Sequence, residues 1–182
     1  MPLHIDKPIA LVGLMGVGKT TVGRRLAKRL GRNFDDSDDA IEAASGRTVA
    51  GYFRDHGEAD FRDGEMRVIK RLLAETRPLV LATGGGAFIH PPTRAILKEQ
   101  AITIWLKGDL DTLVERVSRN DKRPLLRGVD KREKMRELME ARHPIYARAH
   151  LKVKIARGPH IRTVNRILRV LKSLDETADA AT

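Results

Sequence analysis

The sequence predicts an α/β fold with a mostly parallel sheet that is covered by helices on both faces. Three short apolar runs, at residues 9–12, 79–83 and 102–106, have the length of buried strands, and helical periodicity follows each of them. Strands that alternate with helices form parallel sheets, because each crossover helix returns the chain to the same end of the sheet. Glycine-rich turns follow two of these runs, at residues 13–18 and 84–86. Ligands collect at the carboxyl ends of such strands, so both turns are candidate binding sites.

The remaining elements follow from periodicity and from helix-ending residues. We expect two weaker strands, near residues 33–35 and 153–155. Asp38 or Asp39 could cap the second helix. Residues 175–182 are small and acidic and predict a disordered tail, which leaves residues 1–174 as a single domain. The expected helices are 19–30, 40–45, 48–56, 58–75, 93–98, 109–119, 130–142 and 160–174.

The composition restricts the possible functions of this 182-residue chain. It has no cysteine, which excludes disulfides and fits a cytoplasmic location. No apolar run is long enough to cross a bilayer, so we expect no membrane contact. The 35 Lys and Arg residues against 24 Asp and Glu residues give a net charge of +11. The cations are dispersed and the aromatic content is 4%, which favours small anionic ligands over nucleic acid. We expect a monomer.

The stretch Gly13-Leu14-Met15-Gly16-Val17-Gly18-Lys19-Thr20 matches a phosphate-binding loop, with a buried strand before it and a helix after it. Glycines let successive backbone N–H groups surround phosphate oxygens, and the helix directs its positive end at the same anion. Lys19 can reach the β- and γ-phosphates, and the Thr20 hydroxyl can bind Mg²⁺. The motif therefore predicts an ATP site.

Two carboxylates, Asp36 and Asp38, follow the second strand and point the same way in extended chain. One of these carboxylates could bind Mg²⁺ and its waters, while the other binds an acceptor hydroxyl. Helix capping is the structural alternative. Asp35 and Asp39 compete for the same roles, and the pattern alone leaves this assignment open.

A second set of charged residues, Glu58, Arg62 and Glu65, lies on one face of a predicted helix. Their spacing favours a surface ion-pair ladder. The alternative is that the two acids orient the Arg62 guanidinium toward a substrate carboxylate. The triple glycine at residues 84–86 permits close approach of a ligand to the backbone.

Several arginines follow the third strong strand, in and around residues 120–128. Arg123 precedes proline, whose ring holds it extended, and we expect it to move with a closing lid toward the transferred phosphoryl group. Arg142 is a second candidate for binding a carboxylate. The spacing of His56, His90, His143 and His150 is not that of metal ligands, and we expect these side chains on the surface.

Together these stretches resemble the shikimate kinase family over residues 9–171. The phosphate-loop sequence is shared by many nucleotide-binding proteins, whereas the stretch that runs from Glu58 to Arg62, together with the triple glycine and Arg123-Pro124-Leu125-Leu126, is specific. The stretches are residues 13–21, Asp36-Ser37-Asp38, Gly57-Glu58-Ala59-Asp60-Phe61-Arg62, Gly84-Gly85-Gly86-Ala87, Arg123-Pro124-Leu125-Leu126 and Arg142-His143-Pro144-Ile145-Tyr146.

The resemblance implies a fold of the phosphate-loop (P-loop) nucleoside triphosphate hydrolase type, with a five-stranded parallel sheet flanked by helices. It implies a substrate-binding segment at residues 33–62 and a lid at residues 120–128. It also implies transfer of the γ-phosphoryl group of ATP to the 3-hydroxyl of shikimate, with Mg²⁺, in aromatic amino-acid biosynthesis. The implied roles are as follows: Lys19, Asp38 and Arg123 act in catalysis; Gly13, Gly16, Val17, Gly18, Lys19, Thr20, Thr21, Arg116 and Arg123 bind ATP; Asp38, Arg62, Gly84, Gly85, Gly86 and Arg142 bind shikimate; Thr20 and Asp36 bind the metal.

The sequence departs from the family pattern in two places. The strand at residues 79–83 runs straight into glycine, where phosphate-loop enzymes usually place an aspartate for magnesium, so Thr20 and Asp36 must serve the metal. The segment at residues 156–159 matches only loosely, which weakens any adenine contact by Arg157. The rival interpretations are a gluconate or nucleoside monophosphate kinase, and a non-catalytic domain that binds a ligand or nucleic acid.

Overall fold

The computed structural model describes residues 5–119 and 126–179 and contains five strands and seven helices in that part of the chain. The strands are β1 Ile9–Val12, β2 Asn33–Asp36, β3 Leu79–Ala82, β4 Ile102–Lys107 and β5 Leu151–Lys154. The helices are α1 Lys19–Leu30, α2 Ser37–Ser45, α3 Val49–Ala74, α4 Pro91–Gln100, α5 Leu110–Ser118, α6 Lys131–Tyr146 and α7 His160–Asp179.

The five strands form one parallel sheet in the order β2-β3-β1-β4-β5, which confirms the predicted fold class. β1 is central, and Ile9 pairs with Val80 on β3 and with Ile102 on β4. Every residue of β1 and β3 is buried, as expected for strands covered on both faces. The loop after β1 therefore lies between the carboxyl ends of β3 and β4.

Helix α1 packs its Val22 and Leu26 side chains into the core. Gly23 lies on the same face, where a Cβ atom would stand only 2.7 Å from the ring of Phe34 on β2. A glycine is needed there because any side chain would push α1 away from β2. This close packing brings the start of α1 next to the acidic end of β2.

Gly57 (φ 80°, ψ 173°) breaks α3, which follows its cap Thr48 and ends at Ala74, at the position where the sequence predicts a stop between two helices. Other helices extend beyond their predicted limits, and α2 begins at Ser37 instead of residue 40. α6 continues past Arg142 to Tyr146, since Pro144 in its last turn removes only one helical hydrogen bond. α7 extends into the predicted tail as far as Asp179, because lengthening an existing helix requires no new nucleus.

Candidate active site

The turn between β1 and α1 has the backbone shape of an anion cradle. Gly13, Gly16 and Gly18 all have positive φ angles, and a Cβ atom on Gly13 would stand 2.7 Å from the Leu106 carbonyl oxygen. The side chain of Val17 is buried, so only its backbone can serve a ligand, whereas Thr21 lines the cavity above the loop. The sequence-predicted loop residues are thus brought together at one end of the sheet.

Lys19 occupies the centre of this loop at the first position of α1. Its ammonium group donates hydrogen bonds to the carbonyl oxygens of Gly13 (2.6 Å) and Leu14 (3.0 Å). The first turn of α1 contains no acidic residue, so the positive end of the helix is uncompensated. This combination of backbone N–H groups, helix dipole and ammonium suits a polyphosphate.

The end of β2 lies directly across from α1. The Thr20 hydroxyl donates a hydrogen bond of 2.6 Å to Asp36 Oδ2, and the Asp38 N–H donates one of 2.9 Å to Asp36 Oδ1. Asp36 is therefore the cap of α2, and the expectation that Asp38 or Asp39 caps it was wrong. The reason is that Asp36 is the last extended residue (φ −112°), while both other acids already lie in the helix.

Thr20 and Asp36 fit a magnesium ion. Both are hard oxygen donors at the edge of a cavity of about 440 Å³ that also contains Lys19 and Asp38. Within residues 5–119 and 126–179, no group of three or more His, Cys, Asp or Glu side chains could hold a metal by itself. Mg²⁺ is typically held by one or two protein oxygens together with phosphates and water, and this pair can supply that contribution.

Asp38 has an unusual environment within the same cavity. Burial and then the charge of Asp36 raise the pKa of its carboxyl from 3.8 to about 6, against the opposing charges of Lys19 and Arg62. Its Oδ1 lies 2.7 Å from the position that a Cβ atom on Gly84 would take. A carboxylate with a pKa near neutrality, beside a phosphate loop, is suited to accept a proton.

The triple glycine after β3 forms the wall of this cavity. The Gly84 N–H donates a 3.0 Å hydrogen bond to the buried Ser37 hydroxyl, and the Gly85 carbonyl accepts one of 2.5 Å from Tyr146. A Cβ atom on Gly86 would overlap the Arg62 guanidinium. Side chains at these positions would therefore displace the groups around them.

Arg62 is held mainly by a buried acid. Its guanidinium donates a 2.6 Å hydrogen bond to Glu65, whose side chain is 0% exposed, and lies 3.7 Å from the exposed Glu58. Burial raises the pKa of Glu65, and Arg62 opposes that shift. The surface ladder that the spacing favours was wrong, because the neighbouring glycine turn covers Glu65. Glu65 Oε1 has no hydrogen-bond partner among the described residues.

Arg142 and Arg62 line a second cavity, of about 530 Å³, together with Gly86 and His90. Arg142 also approaches Gly85, and its positive charge acts on the Tyr146 hydroxyl. Burial raises the pKa of Tyr146 to about 12, so it is a neutral donor. The two predicted carboxylate-binding arginines thus lie together, beside the glycine turn.

Arg116 lies on the outer face of the phosphate loop. Its guanidinium donates to the carbonyl oxygens of Gly16 (3.3 Å) and Val17 (3.1 Å), and burial lowers its pKa. It also lines a third cavity, of about 500 Å³, with Arg157. Arg123 lies outside the described residues, as does the lid segment up to residue 125.

The sequence did not single out three residues that the structure places at the site, Ser37, Tyr146 and His160. Each contacts a glycine of one of the two turns from a different part of the chain. The Asp36-Ser37-Asp38 run was a local signal for Ser37 and the stretch from Arg142 to Tyr146 one for Tyr146, whereas no local pattern marks His160. The imidazole of His143 is half-buried against Trp105, with 5.0 Å between ring centroids, so it is not simply on the surface.

The fold and the site define a phosphate-loop protein with a buried carboxyl group of raised pKa and an arginine-lined pocket beside the loop. Comparisons with known proteins identify the family. Residues 15–172 match the family model described as shikimate kinase. A shikimate kinase of Caulobacter vibrioides is 54% identical over 166 residues, which cover 91% of this chain and 82% of that protein. One of Paramagnetospirillum magneticum is 50% identical over 168 residues, 92% of this chain and 86% of the relative. The chain belongs to the shikimate kinase family.

Solved structures agree with this assignment. The shikimate kinase from Acinetobacter baumannii in complex with shikimate superposes with a TM-score of 0.86 at 40% identity, covering 92% of this chain and 93% of that one. A gluconokinase from Sinorhizobium meliloti gives 0.67 at 19% identity, covering 97% and 98%, and so shares the fold. Among the described helices, none combines the length and apolar character that crossing a membrane requires.

Proposed function

We propose that the protein is a shikimate kinase, which transfers the γ-phosphoryl group of ATP to the 3-hydroxyl of shikimate and releases ADP and shikimate 3-phosphate. The observation that carries the proposal is the position of Asp38, between Lys19 of the phosphate loop and the glycine turn that borders Arg62. A base near neutral pKa at the junction of an anion cradle and a carboxylate-binding pocket suits a kinase whose acceptor is a hydroxy acid.

Two arginines are proposed to fix the acceptor. Arg62 and Arg142 bind the carboxylate of shikimate from the second cavity, and Gly84–Gly86 allow the ring to lie against the backbone. Glu65 holds the Arg62 guanidinium at a set angle through its 2.6 Å hydrogen bond. The fixed fork then orients the hydroxyl toward Asp38.

The transfer follows from this arrangement. Asp38 accepts the proton of the acceptor hydroxyl as the oxygen forms its bond to the γ-phosphorus. The bond from that phosphorus to the β–γ bridging oxygen breaks, and ADP leaves with the electron pair. Lys19 moves from the loop carbonyls to the β- and γ-phosphates, and Arg123 of the lid neutralises the transferred group. Arg116, on the outer face of the loop, lies beside the adenine.

The proposal includes Mg²⁺, held by Thr20 and, through water, by Asp36. When bound, the ion neutralises charge on the phosphate oxygens. A monomeric state, a cytoplasmic location and the lack of nucleic-acid binding stay predictions from the sequence. Gel filtration tests the first of these, and a salt-dependent RNA shift assay tests the last.

The test is ADP release, coupled to a spectroscopic readout, with shikimate, gluconate and nucleoside monophosphates as acceptors. Of these acceptors, we expect only shikimate to support turnover. Lys19→Ala should reduce it by at least about 10²-fold, the loss typical of a phosphate-stabilising donor, with the fold intact by circular dichroism. Lys28→Ala, an exposed lysine on the same helix, is the matched control and should change little. Turnover with gluconate instead, or an unimpaired Lys19→Ala variant, would contradict the proposal.

A further inference from the structure

The side chain of Tyr146, the last residue of α6, is fixed between two other aromatic rings. The ring centroids lie 6.2 Å from Trp105 on β4 and 6.5 Å from Phe88 after the glycine turn, and both pairs are close to parallel (29° and 21°). Tyr146 and Phe88 are both 0% exposed. A ring packed on both faces has little freedom to change its rotamer, so the position of the Tyr146 hydroxyl is fixed.

This hydroxyl holds one peptide group of the glycine turn. It donates a hydrogen bond of 2.5 Å to the carbonyl oxygen of Gly85. The C=O and N–H groups of a trans peptide point in opposite directions, and no peptide bond among the described residues is cis. The N–H of Gly86, which belongs to the same peptide group, is therefore turned away from Tyr146.

The Gly86 N–H lacks an acceptor. Gly86 is buried, and its N–H forms no hydrogen bond within residues 5–119 and 126–179. The same residue lines the cavity of about 530 Å³ that also contains Arg62 and Arg142. A buried N–H without a partner is costly, and a carboxylate bound in that cavity would supply one.

Arg142 lies one helical turn before Tyr146, on the same face of α6. Its Nη1 atom is 3.8 Å from the position that a Cβ atom on Gly85 would take. Burial raises the pKa of Tyr146, and the charges of Arg142 and Arg62 oppose this shift, so both guanidinium groups lie close to the hydroxyl. The end of α6 and the glycine turn thus meet at Gly85, and the hydroxyl of Tyr146 joins them.

We propose that Tyr146 is a positioning residue, whose hydroxyl holds the Gly86 N–H and the Arg142 guanidinium at the spacing that one acceptor carboxylate requires. This inference rests on the proposed function, because it needs a hydroxy acid in the second cavity. Tyr146 does not line that cavity and acts through the two groups that do. Without the hydroxyl, the Gly85 carbonyl loses its partner, and the flanking glycines let the peptide rotate and carry the Gly86 N–H away from the carboxylate.

The experiment is steady-state kinetics of Tyr146→Phe, with shikimate and ATP varied separately, beside calorimetry with shikimate alone. Phenylalanine keeps the ring contacts and removes only the hydroxyl. We expect KM and Kd for shikimate to rise about tenfold, the value of about one hydrogen bond, while kcat and KM for ATP stay nearly unchanged.

The matched control is Thr103→Val, which also removes a buried hydroxyl. Thr103 is 0% exposed, and its hydroxyl accepts a hydrogen bond of 3.0 Å from the His150 N–H, near the start of β4. This variant should lose thermal stability without a change in either KM. It shows what the loss of a buried hydrogen bond does when the acceptor groups keep their positions.

A double-mutant cycle with Arg142→Lys tests whether Tyr146 acts through its neighbours. Residues that share a contact network have non-additive effects. The two substitutions together should therefore weaken shikimate binding less than the product of their separate effects. Strictly additive free energies would overturn the inference.

The possible failures are distinguishable. If the wild type does not phosphorylate shikimate, the proposed function fails. If it does, and Tyr146→Phe raises both KM values equally or lowers only kcat and Tm, the role of Tyr146 is structural and the inference is overturned. Should Tyr146→Phe not fold, 3-fluorotyrosine replaces both tyrosines of the chain, and ¹⁹F NMR follows them, with Tyr52→Phe assigning the signals. Shikimate should shift the Tyr146 signal, and a signal that does not move also overturns the inference.

Discussion

Replacing Asp38 by asparagine should stabilise the ligand-free protein while reducing its activity. The pKa of this carboxyl rises from 3.8 to about 6 on folding, mainly because of burial and then because of Asp36. Each pKa unit corresponds to about 1.4 kcal/mol, so the charged form costs the folded state about 2–3 kcal/mol. Asparagine keeps the shape without the charge and removes this cost.

The pH dependence has a definite sign. Between pH 3.8 and about 6 the folded state holds a proton that the unfolded chain has released, so the stability of the wild type falls as the pH rises through this window. The advantage of Asp38→Asn should be complete at pH 7.5 and fall to about a third of that value at pH 4.5, where the native carboxyl is neutral but the unfolded one is mostly ionised. For a chain of this size, the gain corresponds to a Tm increase of roughly 5–10 °C.

Thermal unfolding followed by circular dichroism at both pH values measures the effect, with urea unfolding as a second estimate of the free energy. Asp55→Asn is a control of opposite sign, because a hydrogen bond from Arg54 and nearby positive charges lower the pKa of Asp55. It should destabilise the protein at pH 7.5. An Asp38→Asn variant that is no more stable at pH 7.5, or equally stabilised at both pH values, would refute this reasoning.

Three further predictions concern substrate binding, phosphoryl transfer and the loss of stability at acidic pH. Arg62→Lys should raise KM for shikimate far more than KM for ATP, because lysine lacks the bidentate fork; steady-state kinetics showing equal effects would count against a carboxylate contact. Arg123→Ala should lower kcat about 10³-fold, while calorimetry shows unchanged shikimate affinity in the absence of nucleotide; lost shikimate binding would argue against a lid role. His150 Nδ1 accepts a hydrogen bond of 3.1 Å from the Thr103 N–H, and burial and then the charge of Lys98 lower the pKa of His150. Because the unfolded chain takes up this proton more readily, the protein should lose stability as the pH falls below 6.5. His150→Asn keeps an acceptor that does not titrate, and its Tm should fall less between pH 7.5 and 5.5.

The fold and the phosphate loop were predictable because their signals are local. Strand length, the turn glycines and the residues that follow them lie within a few positions of each other, and backbone preferences decide the outcome. Gly57 is a similar case, since its positive φ angle interrupts α3 at the predicted position.

The choices among neighbouring charged residues were not predictable in this way. Four aspartates surround the end of β2, and Asp36 is selected as the cap because strand pairing with Ala82 ends there and the Thr20 hydroxyl lies opposite. Glu65 is buried because residues distant in the chain pack over it, whereas spacing along α3 describes only the helix itself. The contact of His160 with Gly18 joins the two ends of the chain, and periodicity contains no information about it.

The strand order has a consequence for protein engineering. The residues proposed to select the acceptor, except Arg142, lie within residues 33–86, a continuous stretch that forms one edge of the sheet from β2 to the turn after β3. The loop and helices proposed for the nucleotide are encoded outside it. A chimera that exchanges this one stretch with that of another enzyme of the same fold, and keeps the aspartate at position 36, would transplant acceptor choice and leave the phosphate loop, α1 and α5 unchanged. Because Arg142 lies outside this stretch, position 142 is the first further position to change together with it.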